Sequence, residues 1–563
     1  MKKILSYFII GALAVGATSC KKFLDINDNP NSATSTTPEL VLPQAIVGTA
    51  SLANNFSQSL GYPGGFFANV YGFGGYGATV TLNYGTSNFA GPFQTGYDNA
   101  EDYQYILDNS TEATKVYANS IARIMKSYIF AKIVDNYNSV PYTEALKGAS
   151  VLTPKYDDPT VIYQDLVAQL NTAITNITAG QAASSTTTKI TGAQDPMFGG
   201  DMDSWKKFAN TLKLRLLLKM ESAASTKAFA TTQFASFNTA LGVITEDAIV
   251  NPGYLKQGGR LAPIYGSLGG TETDARVATS ILPTKYVVGF YSGNKLSDAG
   301  RGSVIYRAYP SNQSNQLGQE TLASTVVPPS TSTAFYTGAD YSTPGLGAVK
   351  GPSQGAVVML LAEANFLKAE AYLFGYLSGN AKTAFEDGIV ASFRYLYKNQ
   401  AGTVDGTMAA QLVPRVATPT VTTHIGEIEA LAAYKDANLP QSTTAQSYSY
   451  LVDWDLTTAV NSGDLNKDVT QRRLEAIITQ KYIALNLIAM DEAFAEYRRT
   501  TYPYSSPSTA NAFTSMASLQ SRSTSPDKLL TRLPYPQTEY NVNGANVPQN
   551  VDIFSAKVFW DNN

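Results

Sequence analysis

The sequence is poor in the residues on which most catalytic and metal sites depend. Its 563 residues include one cysteine, Cys20, and one histidine, His424. No disulfide can therefore form within one chain, and a serine triad or a zinc site would have to use that single histidine. His424 lies in a polar stretch beside Glu427 and Glu429, where a solvated surface histidine is expected. We predict no catalytic residue, no metal site and no cofactor, although paired carboxylates for glycoside hydrolysis need no sequence motif.

Charged residues and tryptophan are also scarce. Only 15% of the residues are charged, the formal net charge is -3, and no run of basic residues occurs. A nucleic-acid partner is therefore not expected. Against 3 tryptophans the chain has 35 tyrosines and 24 phenylalanines. Because a tyrosine offers an apolar face and a hydroxyl, exposed tyrosines suit sugars or peptides, whereas rings on helical stripes are expected in the core.

The N-terminus has the order of a secretory signal. Two lysines precede an apolar run, 4–17, which leads through small residues to Cys20. The run is about fourteen residues long, whereas a bilayer span needs roughly twenty, so a retained transmembrane helix is not expected. A cysteine directly after small residues is similar to the lipobox of bacterial lipoproteins, whose thiol is diacylated. We predict a signal peptide over 1–19 and a lipid-anchored flexible tether over 20–37; a secreted soluble protein is the alternative.

Helical periodicity dominates the rest of the chain. About 540 residues follow the leader, more than the roughly 250 to 300 that one core usually holds, so two lobes or a helical array with an insertion are expected. Asp158 before Pro159 is a suitable N-cap and first-turn pair. Neighbouring helices imply stacked hairpins, which are similar to degenerate tetratricopeptide repeats. Apolar stripes predict helices over 121–137, 163–177, 205–220, 360–374, 383–397 and 477–489.

Composition divides the chain into regions. Gly, Pro, Ser and Thr dominate 251–350, where the periodicity fades, and predict a loop-rich lobe inserted between two helical blocks. The predicted blocks are an N-terminal tetratricopeptide-like region over 38–250 and a second such region over 351–500. A loop-rich C-terminal segment over 501–563 is expected to pack on this body.

A glycine-rich segment resembles a nucleotide-binding motif only in its spacing. Gly72, Gly74 and Gly77 match the dinucleotide fingerprint, but the residues that follow are β-branched and alternate as in a strand, whereas the fingerprint requires a helix there. We therefore expect no nucleotide site. Glycines alternating with Tyr71 and Tyr76 indicate a loop that displays rings, either to stack on a ligand or to pin the loop to the body.

Seven sequence elements occur in an order that resembles one protein family. Asn138, within the second element, stands where the family commonly has glycine. The elements are Cys20 with Phe23-Leu24-Asp25 and Asn29-Pro30; Arg123 to Tyr137 with Val140-Pro141-Tyr142-Thr143-Glu144-Ala145; Tyr156-Asp157 with Ile162-Tyr163 and Leu166; Trp205, Lys207, Phe208, Ala209, Asn210, Leu212 and Arg215; Ala362-Glu363 with Lys368-Ala369-Glu370-Ala371; Gln480-Lys481-Tyr482; and Arg532-Leu533-Pro534-Tyr535-Pro536 with Glu539. Behind a lipoprotein leader, this order resembles the SusD-like (SusD/RagB) nutrient-binding lipoproteins of the Gram-negative outer membrane.

The resemblance implies a fold, a location and a function. The expected fold is mainly α, a tetratricopeptide-like helical-hairpin superhelix with an inserted loop-rich ligand-binding lobe. Such proteins lie as extracellular lids on a SusC-like TonB-dependent transporter, capture an oligosaccharide or peptide, and are binders rather than enzymes. The alternatives are a lipid-anchored hydrolase acting on glycans or peptides and, less favoured, a scaffold that binds only protein.

The resemblance also implies two regions that supply ligand-binding residues, the segment after the first helix and the middle lobe. Neither region contains tryptophan, which departs from the starch-binding members and makes a peptide or a smaller glycan an option. Trp205, on an apolar helical stripe, is expected in the core. The predicted ligand-binding residues are Tyr71, Tyr76, Tyr84 and Asn88 in the first region and Tyr306, Tyr309, Tyr336 and Tyr341 in the second.

Overall fold

The computed structural model describes most of the chain after the predicted tether. The described residues are 36–69, 77–310, 333–339, 343–415, 426–439, 448–458, 467–508 and 511–563. Cys20, Tyr71, Tyr76, Tyr341 and His424 lie outside these ranges, so the roles predicted for them stay predictions.

The N-terminal part is an array of helices that pack on their neighbours along the chain. They are α1 (Pro38–Ser59), α2 (Ala78–Thr81), α3 (Ala90–Asp108), α4 (Val116–Tyr137), α5 (Pro159–Gly180), α6 (Met202–Glu221) and α7 (Lys227–Ala235). Helix α1 packs on α3, and from α3 to α7 each helix packs on the next. This is the arrangement that stacked helical hairpins produce.

Short helices follow, and a second array of longer helices comes after them. The short helices are α8 (Pro263–Leu268), α9 (Lys285–Val288) and α10 (Ala299–Ile305). The later helices are α11 (Leu361–Leu373), α12 (Ala381–Leu396), α13 (Gly406–Gln411), α14 (Glu429–Ala437), α15 (Val469–Ala484), α16 (Met490–Thr500) and α17 (Gln537–Asn543). Helix α11 packs on α12 and α15, and α16 packs on both α15 and α1. The late helix α16 therefore closes against the first helix of the array.

Strands are short and pair regions that are distant in sequence. They are β1 (Phe67–Asn69), β2 (Val140–Pro141), β3 (Tyr156–Asp157), β4 (Ala248–Val250), β5 (Ile281–Pro283) and β6 (Ala356–Met359). Three antiparallel pairs form, β1 with β5, β2 with β3, and β4 with β6. Two-stranded sheets of this length are marginal alone, so they depend on the helices against which they pack.

Local sequence chemistry explains where several helices begin and end. The carboxylate of Asp158 accepts a hydrogen bond from the backbone N–H of Thr160 at 2.7 Å, with Pro159 as the first helical residue, which confirms the predicted cap of α5. Helix α4 ends at Asn138, whose φ is 65°. This left-handed value costs a side chain more than it costs glycine, which accounts for the family's common glycine there.

Two sequence-based predictions of local structure were wrong. The β-branched run after Gly77 forms the short helix α2 and not a strand. The last predicted stripe ran to Ala489, but α15 ends at Ala484, and Leu487 then adopts a φ of 66° that no α-helix continues through. The side chains between Ala484 and Ala489 remain buried, so the apolar pattern continues beyond the end of the helix.

The core includes the rings expected on helical stripes. Trp205 is fully buried, and its indole N–H donates to a carboxylate oxygen of Asp195 at 2.8 Å, which confirms the core prediction. The C-terminal Arg532-to-Pro536 element packs where α4 ends. The backbone N–H of Leu533 donates to the carbonyl of Asn136 at 2.8 Å, and the hydroxyl of Tyr535 donates to the carbonyl of Ser139 at 2.6 Å.

A network of buried ion pairs joins the two helical arrays. Helices α4, α6, α11, α15 and α16 contribute to it. Glu492 of α16 lies at its centre, with carboxylate oxygens 3.3 Å from both Lys132 and Arg215 and 3.0 Å from Lys219. The members, all buried, are Lys132, Arg215, Lys219, Lys481 and Arg499 with Asp135, Glu363, Glu370, Asp491, Glu492 and Glu496. We call this set the charge network.

Candidate functional site

A tight turn after α1 brings β1 against the middle of the chain. The backbone N–H groups of Phe66 and Phe67 both donate to the carbonyl of Gly61 at 2.9 Å. A Cβ atom at Gly61 would overlap the ring of Phe67, so only glycine fits this close approach. The backbone N–H of Thr284 donates to the carbonyl of Phe66 at 3.1 Å, next to the β1–β5 pair. The turn therefore fixes the segment that follows the first long helix.

A chain of rings continues from this turn into the middle region. We define the aromatic junction as Tyr62, Phe67, Phe335, Tyr306 and Tyr291. Successive ring centroids are 5.7, 5.6, 6.4 and 5.5 Å apart, and the first and last pairs are edge-on. The structure thus joins the two regions in which ligand-binding residues were predicted, although more than two hundred residues separate them in sequence.

Polar side chains border the outer end of the aromatic junction. The hydroxyl of Tyr62 donates to the amide oxygen of Asn69 at 2.9 Å, and the amide nitrogen of Asn69 donates to the hydroxyl of Thr79 at 3.4 Å. Burial raises the pKa of Tyr62 to about 12, so its hydroxyl keeps its proton at neutral pH. Tyr62 and Asn69 are both partly exposed. A ring beside an oriented amide is a combination suited to sugars and to peptide backbones.

Of the predicted residues of the first region, the structure describes Tyr84, which lies near Tyr62, and Asn88. Tyr84 is buried, and its ring packs edge-on against Phe89 at 4.6 Å. Burial, together with the neighbouring Tyr62, raises the pKa of Tyr84 well above its ordinary value. Asn88 is partly exposed, and its side-chain oxygen accepts from the backbone N–H of Gly85 at 2.9 Å. Asn88 therefore closes a turn and keeps an amide surface in solvent.

The predicted residues of the middle region are mostly enclosed. Tyr306 is buried, and its hydroxyl accepts a hydrogen bond from the amide of Asn486 at 2.7 Å. Tyr336 is fully buried against Tyr265, at 5.6 Å between centroids. Tyr309 is partly exposed and donates to the carbonyl of Tyr291 at 2.6 Å. Contact of these tyrosines with a ligand stays a prediction. The burial of Tyr306 and Tyr336 does not support it.

Sequence reasoning did not single out Tyr62, Asn69 or Arg307. The guanidinium of Arg307 donates to the carbonyls of Tyr336 at 3.1 Å and Gly338 at 2.7 Å, which ties down the middle segment. The sequence signal available for Tyr62 and Asn69 was their closeness to the tyrosine-and-glycine segment. No signal in the sequence indicated that the carbonyls around Gly338 needed a partner.

The described side chains of the aromatic junction are suited to binding by ring packing and hydrogen bonds. Within the described part of the chain, no group of three or more His, Cys, Asp or Glu side chains is placed to hold a metal ion. The polar groups at the aromatic junction are hydroxyls and amides, which recognise ligands by hydrogen bonds and do not titrate near neutral pH. Among the described helices, none has a long enough apolar stretch to cross a bilayer.

Comparison with known proteins identifies the family. A family model described as SusD-like, starch-binding and associating with the outer membrane matches residues 30–526. The chain belongs to the SusD-like family. None of the curated proteins compared with this SusD-like chain matches its sequence.

Solved structures support the same fold. A SusD homologue from Bacteroides fragilis is 20% identical, with 94% of this chain and 100% of that chain covered and a TM-score of 0.62. A chitin-binding SusD homologue from Flavobacterium johnsoniae is 20% identical, with 92% and 99% covered and a TM-score of 0.62. A homologue from Bacteroides thetaiotaomicron is 19% identical, with 93% and 99% covered and a TM-score of 0.63. The predicted mainly α, tetratricopeptide-like fold is confirmed.

Proposed function

We propose that this protein is a surface-facing lipoprotein of the outer membrane, anchored by acyl chains on Cys20. It captures an oligomeric nutrient, an oligosaccharide or a peptide, and delivers it to a partner SusC-like TonB-dependent transporter. Capture occurs by binding alone, without catalysis. The observation that carries the proposal is the aromatic junction, found in a SusD-like chain, with its partly exposed ring and amide at the outer end.

The ligand class follows from the groups at that end. A sugar ring packs its C–H face on an aromatic ring and shares its hydroxyls with amides, and the hydrogen-bonded, partly exposed pair of Tyr62 and Asn69 provides both groups. Tryptophan is absent from both predicted regions, so a narrower aromatic platform than that of an extended starch site is expected. A chitin-binding relative makes N-acetylglucosamine oligomers the first candidate, because their acetamide groups match side-chain amides.

Binding is tested with the soluble chain lacking residues 1–20. Isothermal titration against chitin oligomers, starch oligomers and mixed short peptides should show saturable binding to one class. The same samples are then examined for new reducing ends or new amino termini after prolonged incubation. Binding without new chain ends supports the proposal. Turnover above background identifies a hydrolase instead, and no binding to any member of the panel contradicts nutrient capture at this protein.

Two rings outside the described residues extend the test. Replacing both Tyr71 and Tyr76 by alanine should weaken binding about tenfold or more, because a stacked ring contributes about 1 kcal/mol beyond the area that it buries. Tyr504, which is 55% exposed and lies outside both predicted regions, supplies the matched control Tyr504→Ala. Equal affinities for the double variant, the control and the unchanged chain would remove the glycine-rich loop from the site.

A further inference from the structure

A second cleft lies on the helical array, apart from the aromatic junction. It is bounded by α6, the connection after α7, and the α11–α12 pair, and its volume is about 520 Å³. That volume falls within the roughly 300–1,000 Å³ of most small-ligand sites. None of the residues predicted to bind ligand and none of the aromatic junction lines it.

One wall of this cleft is aliphatic. Leu241, Val243, Leu361, Leu377 and Val390 line it, and Val243, Leu377 and Val390 are largely buried. These branched side chains shield apolar surface from water, and the rings of Phe237 and Tyr372 also belong to the lining. The lining therefore favours a ligand that carries an apolar group.

The lining of the cleft also carries an excess of positive charge. Lys207, Lys368 and Arg394 line it together with a single carboxylate, Asp387. The charges of Lys368 and Arg394 both attract the carboxylate of Asp387, and they oppose the effect of burial on its pKa. Lys368 also contacts the amide oxygen of Asn365, at 3.4 Å. Three cations and only one carboxylate thus line the cleft, and this net positive charge favours an anionic ligand.

Neutral polar side chains complete the lining of the cleft. The amide of Asn365 and the hydroxyls of Thr239 and Tyr372 line the cleft. Amide and hydroxyl side chains can both donate and accept hydrogen bonds, so they suit a ligand that carries peptide groups. A fatty acid also has a carboxylate and an aliphatic body, but it has no peptide groups that could bond to these side chains.

We propose that this cleft binds the C-terminal end of a short peptide. The free carboxylate lies among Lys207, Lys368 and Arg394, the last side chain packs on the aliphatic wall, and the final peptide groups bond to Asn365 and Tyr372. This site is independent of the proposed nutrient site, so either assignment can fail without the other.

The test uses the soluble chain lacking residues 1–20 and the probe acetyl-Ala-Ala-Leu with a free carboxylate. Isothermal titration should show saturable binding that weakens as salt is raised, since part of the attraction is between screened charges. The same peptide with a C-terminal amide should bind about tenfold more weakly or not at all. Octanoate is the third ligand, and binding of octanoate as tight as that of the peptide would overturn the peptide assignment in favour of a lipid.

Variants locate the binding within the cleft. Arg394 is exposed, so Arg394→Glu should fold normally and weaken peptide binding about fivefold to tenfold. Lys189→Glu, an equal charge change at an exposed lysine outside the cleft, is the matched control. Leu241→Trp, at a partly exposed residue, should block the aliphatic wall. Unchanged affinity in both cleft variants, or no binding of the free acid to the unchanged chain, would overturn the proposal.

Discussion

Replacing Glu492 by glutamine should destabilise the protein more than any change to a surface ion pair. The carboxylate of Glu492 is buried and faces Lys132, Arg215 and Lys219 at 3.0 to 3.3 Å. Burial alone would raise the pKa of Glu492, but these three cations outweigh it and hold the pKa well below its ordinary value. The native side chain is therefore an anion at neutral pH, and the substitution removes a charge that three buried cations share.

The substitution Glu492→Gln is expected to lower the free energy of unfolding by about 3 kcal/mol at neutral pH. Removing one partner from a buried ion pair costs about 3–5 kcal/mol, because a desolvated charge is left uncompensated. The lower end applies, since each cation keeps another acid: Asp491 lies 2.6 Å from Lys132, and Glu363 lies 2.8 Å from Arg215. A loss of this size is a large part of the roughly 5–15 kcal/mol that stabilises most native proteins.

Urea unfolding followed by tryptophan fluorescence measures the effect. Trp560 donates its indole N–H to Asp135 of the charge network at 2.8 Å, so it reports directly on this region. Glu112→Gln is the matched control, because Glu112 pairs with Lys115 at 3.5 Å with a side chain that is 66% exposed. The control should cost less than about 1 kcal/mol. A Glu492→Gln loss as small as that of the control would refute the argument that the charge network holds the arrays together.

Three further predictions concern acid stability, a helix cap and the anchor. Arg499 and Lys481 lower the pKa of Glu496 from 4.5 to about 2 despite its burial. The stabilising contribution of Glu496 is therefore complete above pH 4.5 and is lost as the pH falls toward about 2. The midpoint of thermal unfolding should fall over the same pH range. Asp158→Ala should cost about 1 kcal/mol in urea unfolding and Asp158→Asn much less, since asparagine also caps a helix; equal losses would contradict the capping role. Cys20→Ala should release the protein from the membrane fraction without changing its ligand affinity, and retention of that variant would disprove anchoring through the cysteine.

Apolar periodicity predicted six of the seventeen α-helices that the structure describes, but it could not predict α16. That helix reads Met-Asp-Glu-Ala-Phe-Ala-Glu-Tyr-Arg-Arg-Thr, which is typical of a solvated surface helix. All five charged side chains of this helix are nevertheless buried, and partners from other helices neutralise Asp491, Glu492, Glu496 and Arg499. Ion pairs between distant segments are not visible in a local sequence pattern. The burial of the charged side chains of α16 could therefore be seen only in the structure.

The candidate site shows the same division between local and distant information. The family resemblance pointed to two regions, which the aromatic junction brings together, yet the sequence could not say which of their rings face solvent. Tyr306 and Tyr309 lie three residues apart, but Tyr306 is enclosed by Tyr291 and Asn486 while Tyr309 is partly exposed. Each ring's exposure depends on which distant segment covers it, and no spacing rule contains that information.

Helix α15 connects the charge network to the aromatic junction, and this limits where the protein can move. Lys481 pairs with Glu496 at 2.8 Å within the network, while the adjacent Tyr482 stacks on Phe66 at 4.4 Å and donates to the carbonyl of Gly64 at 2.8 Å. Because buried ion pairs and stacked rings hold the turn before β1 to the same helix, the junction and both arrays should move as one body. Shortening the predicted tether, 20–37, should therefore leave ligand binding in solution unchanged, and a loss of binding would contradict the arrangement as one body.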